Sequence, residues 1–380
     1  MDTQQAAGIG GKKIALWAVI ALVVIGGGWM VIKKPSQVNA EPIKIGFIAP
    51  LTGDAGSYGV NAKAAAELAV EEINSMGGIN GRTIQLIAED GKCTGKDASS
   101  AANKLINIDK VTAIVGGFCS GETMAFTDLA EQTKTIVISE ASSNPAITNA
   151  GDYIFRDYAS DTAQGKAAAE FIYNKLGKKK VAVLYVNIDW GKGVKDVFIS
   201  EYKKLGGEIV IEESYTQGSR DMRSQLAKVK QSNPDVLYFL SFTDDAVIGL
   251  KQAKTLGLNL PIVGGDAFDG PQFYSDPIAD GIMYVASLVP SNEAFEAKMA
   301  TKTGSDVINA GAPQAYDAVK ILGDVMRKVG TNTELIKNAL YEVKDYQGVS
   351  GTIGFDSNGD LATPNLIIKL IKDGKAEQLK

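Results

Sequence analysis

Residues 111–145 read VTAIVGGFCSGETMAFTDLAEQTKTIVISEASSNP. Two short apolar runs, 111–115 and 135–138, each end in small and hydroxyl residues and lead into a helix-like segment. Gly116, Gly117 and Ser120 follow the first run, and Ala141, Ser142, Ser143, Asn144 and Pro145 follow the second. Short β-rich runs alternating with helical stretches imply βαβ units and a parallel sheet. A strand that ends in Ser or Asn at a helix start exposes backbone N–H groups and a positive dipole end. Two such ends side by side make a pocket for a carboxylate or another small anion.

The same alternation continues in both directions. Upstream, residues 43–49 (IKIGFIA) read as a strand, followed by the turn-rich loop PLTGDAGSYG and a helix over 60–74. Gly77 and Gly78 stop that helix, residues 83–88 are the next strand, and 98–107 are helical. Within the opening stretch, 122–132 reads as one helix. Downstream, helices at 163–176, 194–205, 222–231 and 244–256 alternate with strands at 180–185, 208–211, 236–240 and 261–263. The pattern of helix end, glycine pair and strand in INSMGGINGRTIQLI returns in SEYKKLGGEIVI, a weak internal duplication into two α/β units. Residues 312–329 are again helical, and 351–355 and 366–371 read as short strands.

The chain has 380 residues, 45% hydrophobic and 22% charged, enough for two lobes with real cores. Its net charge is -5, and -8 for residues 41–380, which argues against nucleic-acid binding. No histidine occurs, which removes the commonest general base and metal ligand. Lys12 and Lys13 precede an apolar run over 14–32, interrupted at Gly26 to Gly28 and followed by Lys33, Lys34 and Pro35. Residues 1–40 are therefore a secretory signal cut after Val38-Asn39-Ala40, or an uncleaved membrane anchor. Either way the body is expected outside the cytoplasm. The only cysteines are Cys93 and Cys119. An even count in an exported chain points to a bridge, the alternative being two buried thiols.

Candidate residues gather at strand ends. The loop Gly53-Asp54-Ala55-Gly56-Ser57-Tyr58-Gly59 fits neither G-x-G-x-x-G nor the phosphate loop G-x-x-x-x-G-K-[ST], so no nucleotide site is expected. Tyr58 sits just before a helix at a strand's C-terminal edge, where ligands bind in open α/β sheets. Its alternative is an ordinary turn tyrosine, as Ser120 and Ser143 have the alternative of plain helix caps. In the second unit Trp190, Phe242 and Asp266 follow three strands. Aromatic walls suit an apolar ligand and the carboxylate suits a cation; the alternatives are core aromatics and a cap. Asp356, Asn358 and Asp360 begin like a calcium loop, but its twelfth position is Ile367 rather than Glu, so a turn is the reading.

From residue 43 to about 372 the chain resembles the branched-chain amino-acid binding proteins of ABC importers. The motifs are IKIGFIAPLTGDAGSYG, AAAELAVEEINSMGGINGRTIQLIAEDGKC, GGFCS, ISEASSNPAIT, FRDYASDTAQG, the GGD ending at Asp266, and FDSNGDL. The resemblance implies an α/β, two-lobed type I periplasmic-binding fold, each lobe a mostly parallel sheet flanked by helices. Three hinge crossings are implied, near 156–161, 284–288 and 350–355. The implied organisation is 1–40 signal or anchor, 41–158 first part of lobe 1, 159–286 first part of lobe 2, 287–350 second part of lobe 1, and 351–380 second part of lobe 2.

It further implies a ligand carboxylate at Ser120 and Ser143 beside Ala141 and Ser142. The ligand's ammonium falls to the turn and Asp266, and its side chain to Tyr58, Trp190 and Phe242. A Cys93–Cys119 disulfide is also implied. Trp190 stands where Tyr is usual and Ser143 where Thr is common. The expected protein is non-enzymatic, takes no cofactor, is a monomer, and hands an amino acid to a membrane ABC permease. A sensor module of the same fold, or a binder of an amide or urea, is the alternative.

Overall fold

The computed structural model describes residues 41–379. The expected signal or anchor of residues 1–40 lies outside the described residues. No described helix is long and apolar enough to cross a membrane.

The first sheet holds β1 (Ile43–Ala49), β2 (Ile84–Asp90), β3 (Ala113–Gly116), β4 (Ile136–Ser139) and β5 (Ile154–Arg156). All pair in parallel in the order β2-β1-β3-β4-β5. Ile45 and Phe47 point from β1 into a core with Val115, Ile136 and Ile138, and all five are fully buried. Burying each large side chain stabilises by roughly 1.5–3 kcal/mol. That both faces of these strands are buried explains why they read as continuous apolar runs rather than alternating ones.

The second sheet holds β6 (Lys180–Val186), β7 (Glu208–Tyr215), β8 (Val236–Leu240), β9 (Ile262–Gly264) and β10 (Met283–Ser287), ordered β7-β6-β8-β9-β10. This repeats the strand order of the first sheet, as the duplicated motif suggested. Two antiparallel strands, later in the chain at Leu366–Lys372 and Lys375–Gln378, extend it beyond β10. A small antiparallel ribbon pairs β11 (Tyr346–Gly348) with β12 (Gly351–Ile353). The late strands are β13 (Leu366–Lys372) and β14 (Lys375–Gln378).

The helices cover both faces. The α-helices of five residues or more are α1 (Gly56–Ser75), α2 (Gly95–Asn103), α3 (Ser120–Met124), α4 (Thr127–Thr133), α5 (Asp161–Glu170) and α6 (Asp189–Lys204), then α7 (Arg223–Gln231), α8 (Thr243–Thr255), α9 (Glu293–Thr303), α10 (Ala312–Val329) and α11 (Thr333–Tyr341). The chain passes between sheets three times, after β5, after β10 and after β12. After β10 it returns to the first sheet. There α10 packs on α1, with Gly323 making room for Ile73, and Glu72 of α1 binds Lys298 of α9 at 2.7 Å and Lys320 at 3.4 Å.

Three element readings need correction. The helix expected over 122–132 is two short ones, α3 and α4, broken at Ala125 and Phe126. The broken axis leaves little macrodipole at Ser120. Helix α1 begins at Gly56, so Tyr58 is in its first turn rather than before it. Helix α6 begins at Asp189, so Trp190 is likewise helical and not in a loop. In both cases the glycines beside the aromatic mask the helix start in the sequence. The helices expected over 98–107 and 163–176 close with π turns at Lys104–Asp109 and Phe171–Lys175.

Candidate functional site

In each sheet the strand order reverses beside the first strand, between β1 and β3 and between β6 and β8. That is where an open α/β sheet leaves a crevice at its carboxyl edge. The two crevices face each other.

On the first lobe, β3 ends at Gly116 with φ +127°. A Cβ there would lie 2.2 Å from the Ile48 carbonyl oxygen, so only glycine allows this exit. The Gly117 carbonyl then accepts from the hydroxyls of Thr123 (2.8 Å), Ser139 (2.8 Å) and Ser142 (2.7 Å). This ties the end of β3 to the end of β4. Ser120 Oγ accepts from the backbone N–H groups of Ser143 at 3.3 Å and Asn144 at 3.1 Å. Ser143 Oγ is buried and makes no hydrogen bond within 3.5 Å, although it lies near enough to Asp161 to work against the rise of that carboxyl's pKa.

The wall beside Ser120 is covalently fixed. Cys93 and Cys119 form a disulfide with Cα atoms 5.3 Å apart. Glu122 Oε1 accepts from Cys93 N at 2.8 Å, and its Oε2 from Cys119 N at 2.9 Å. Burial of this carboxyl pushes its pKa up to about 7.

From the second lobe, Trp190 stacks on Phe242 with ring centroids 5.3 Å apart. Tyr58 of the first lobe joins them, 5.8 Å from Phe242 and 6.2 Å from Phe118. The Tyr58 hydroxyl donates to the Ala267 carbonyl at 2.9 Å and lies 3.1 Å from Thr243 Oγ1. A second contact between lobes runs from Asn144 Nδ2 to the Asp189 carbonyl at 2.7 Å. Asp266 is 7% exposed. Its backbone N–H donates to Gln164 Oε1 at 2.9 Å and its Oδ2 accepts from the Tyr158 hydroxyl at 2.8 Å. Burial raises the pKa of Asp266. Asp161 is raised well above the usual carboxylate range by its own burial and then by the Asp266 charge.

These groups enclose a cavity of about 40 Å³. Of the residues singled out from sequence, Tyr58, Cys119, Ser120, Ala141, Trp190, Phe242 and Asp266 line it. Ser142 and Ser143 sit behind its wall: Ser142 Oγ is 2.7 Å from Thr123 Oγ1, and Ser143 acts through its N–H on Ser120. Phe118, Tyr158, Ala267 and Ala310 also line it and were not singled out. Phe118 lay unmarked inside GGFCS, and Tyr158 inside FRDYASDTAQG. The cavity is an apolar box with a hydroxyl-and-amide corner and one carboxyl. Its lining offers apolar walls, a hydroxyl for an anionic end and a carboxyl for a cationic end. Among the described residues no group of His, Cys, Asp or Glu is arranged to hold a metal ion.

Residues 42–375 match the family model described as periplasmic binding protein. The chain belongs to the periplasmic binding protein family. A relative in Pseudomonas aeruginosa, named leucine-, isoleucine-, valine-, threonine- and alanine-binding protein, is 30% identical over 346 residues, covering 86% of this chain and 88% of its own length. A Leu/Ile/Val-binding protein homolog of Brucella melitensis is 27% identical over 340 residues, covering 88% and 92%. Among solved structures, the branched-chain amino-acid transporter substrate-binding protein LivJ of Streptococcus pneumoniae, in complex with isoleucine, is 30% identical. It superposes with a TM-score of 0.80 over 89% of this chain and 99% of its own. The leucine-binding protein LivK of Thermotoga maritima is 27% identical, with a TM-score of 0.82 over 89% and 98%. As a periplasmic binding protein the chain has the two-lobed type I fold, and its relatives are substrate-binding proteins rather than enzymes.

Proposed function

We propose that the protein is an extracytoplasmic receptor for an apolar α-amino acid and delivers it to an ABC permease in the membrane. The observation that carries this is the placement of Ser120 and Asp266 on opposite lobes of one aromatic-walled cavity. The ligand's carboxylate meets Ser120 and Ala141, and Ser142 and Ser143 hold that corner from behind the wall. Its ammonium meets Asp266, and its side chain lies among Tyr58, Trp190 and Phe242. Each lobe alone supplies half of these contacts, so the ligand favours the closed arrangement by its differential affinity for it. The names of the relatives from Pseudomonas aeruginosa and Streptococcus pneumoniae support a branched-chain or similar ligand.

Calorimetry against a panel of amino acids tests the reading. Saturable binding of leucine, isoleucine or valine is expected, and no binding by any α-amino acid would overturn it. In Asp266→Ala the affinity is expected to fall more than tenfold, because the ligand's ammonium is left buried without its counter-charge. An unchanged affinity would remove Asp266 from the site.

A further inference from the structure

The aromatic box is small. Its volume of about 40 Å³ is little more than the roughly 30 Å³ share of one liquid water, and small-molecule sites typically begin near roughly 300 Å³. A second cavity, of about 600 Å³, adjoins it. The two share Tyr158, Asp266 and Ala310, so these residues form a neck between the box and a larger vestibule. The first lobe walls the vestibule with α9 and the segment leading to α10, the second with Asp269, Tyr274 and Lys369.

The neck fixes which end of a ligand faces the vestibule. Ser120 lines the box but not the vestibule, whereas Asp266 lines both. Ser120 Oγ accepts two backbone N–H groups, so its own proton is left to donate, which suits a terminal carboxylate. The Tyr158 hydroxyl takes one Asp266 oxygen at 2.8 Å, leaving the other for a single donor. Burial raises the pKa of Asp266, and an amide N–H, unlike an ammonium, needs no full charge opposite it. Beyond the neck the charged lining residues are Asp266, Asp269, Glu293, Glu296 and Asp306 against Lys369 alone, and Asp269 holds Lys369 at 2.9 Å. Glu293, Glu296 and Asp306 are exposed at the rim. A cleft lined by one sign of charge concentrates the opposite sign, here a cationic group.

We propose that the receptor takes dipeptides with an apolar C-terminal residue, a reading that deepens the amino-acid one and rests on it. The C-terminal side chain enters the box and its carboxylate meets Ser120. Its peptide N–H donates to Asp266. The N-terminal residue lies in the vestibule with its ammonium toward the acidic rim. The cleft has another opening, of about 310 Å³, beside Ser120 and the disulfide. A ligand extended on its carboxyl side would have to leave that way, and a neutral carbonyl would then replace the carboxylate at Ser120.

Calorimetry on the whole protein compares leucine, glycyl-leucine and leucyl-glycine. Glycyl-leucine should bind saturably at 1:1, within tenfold of leucine, and leucyl-glycine at least tenfold more weakly than glycyl-leucine. Ala297 lines the vestibule on the exposed side of α9 and is remote from the box lining. Ala297→Trp should weaken glycyl-leucine at least fivefold and shift leucine less than twofold. Binding of leucine with no response to glycyl-leucine would overturn the dipeptide proposal and leave the amino-acid reading standing. Silence toward all three ligands would overturn both. Leucyl-glycine binding as tightly as glycyl-leucine, or Ala297→Trp weakening leucine and glycyl-leucine alike, would also overturn the proposal.

Discussion

Arg156 is 0% exposed, an unusual place for a guanidinium. It survives there because its donors are occupied. Nε and one terminal nitrogen bind Asp360 at 2.6 and 2.8 Å, and the other terminal nitrogen reaches the Asn144 carbonyl at 2.9 Å. Asp360 belongs to the turn first compared with a calcium loop. Asp356 Oδ1 closes that turn by accepting from Asn358 N at 2.8 Å and Asp360 N at 3.0 Å. Asp360→Asn is expected to destabilise the protein by about 3–5 kcal/mol, since it strands a buried charge. Urea unfolding measures this; a loss under about 1 kcal/mol would show that the pair is not structural.

Glu122 makes a separate prediction about pH. Its folded pKa of about 7 exceeds its ordinary value of 4.5. Between those values the folded chain holds a proton that the unfolded chain releases, so stability falls as pH rises. The buried carboxyls of Glu140, Asp157, Asp161 and Asp266 are raised too and act in the same sense. The melting temperature should therefore be higher at pH 5.5 than at pH 7.5, and Glu122→Gln should flatten that slope. A melting temperature that rises over this range would refute the assignment. None of these residue-scale facts was legible in the sequence, because a carboxylate's burial and partners depend on residues far along the chain.

At the scale of elements the alternation of strands and helices was legible, and β8 starts and ends where its apolar run does. Boundaries slipped where glycine sits inside a helix start. Gly56 and Gly59 flank Tyr58, and Gly191 and Gly193 follow Trp190. The shift aims both aromatics into the cleft from rigid first turns rather than from loops. The disulfide links the loop after β2 to the loop before α3, closing a separation of 26 residues. Removing it as Cys93→Ala/Cys119→Ala should cost about 3 kcal/mol on the loop-entropy argument. It should also loosen Ser120, the next residue. Denaturation and ligand calorimetry on the double variant separate the two effects; an unchanged denaturation midpoint would mean that Glu122 alone holds the wall.

For the whole molecule, polar links between the lobes include Tyr58 to Ala267 and Thr243, Asn144 to Asp189, and Gln272 to Asn309. Tyr58→Phe keeps the ring and deletes the hydroxyl. A net hydrogen bond is worth about 0.5–1.5 kcal/mol, so amino-acid affinity should drop roughly three- to tenfold. Small-angle scattering should show a smaller ligand-induced compaction at subsaturating ligand. If affinity is unchanged, the hydroxyl does not hold the lobes together.

The sequence by itself determined the order of elements, the doubled α/β plan and the strand-end residues. Each is set by local periodicity and turn chemistry within about ten residues of chain. From those strand ends came Tyr58, Ser120, Trp190, Phe242 and Asp266, all of which line one cavity. Only the tertiary structure decided that Ser142 and Ser143 stand behind the wall and that Tyr158 holds Asp266. It alone paired Arg156 with Asp360, 204 positions away. The physical reason is that a side chain's partners are chosen by packing between segments that share no local pattern, whereas a strand or helix announces itself in its own residues.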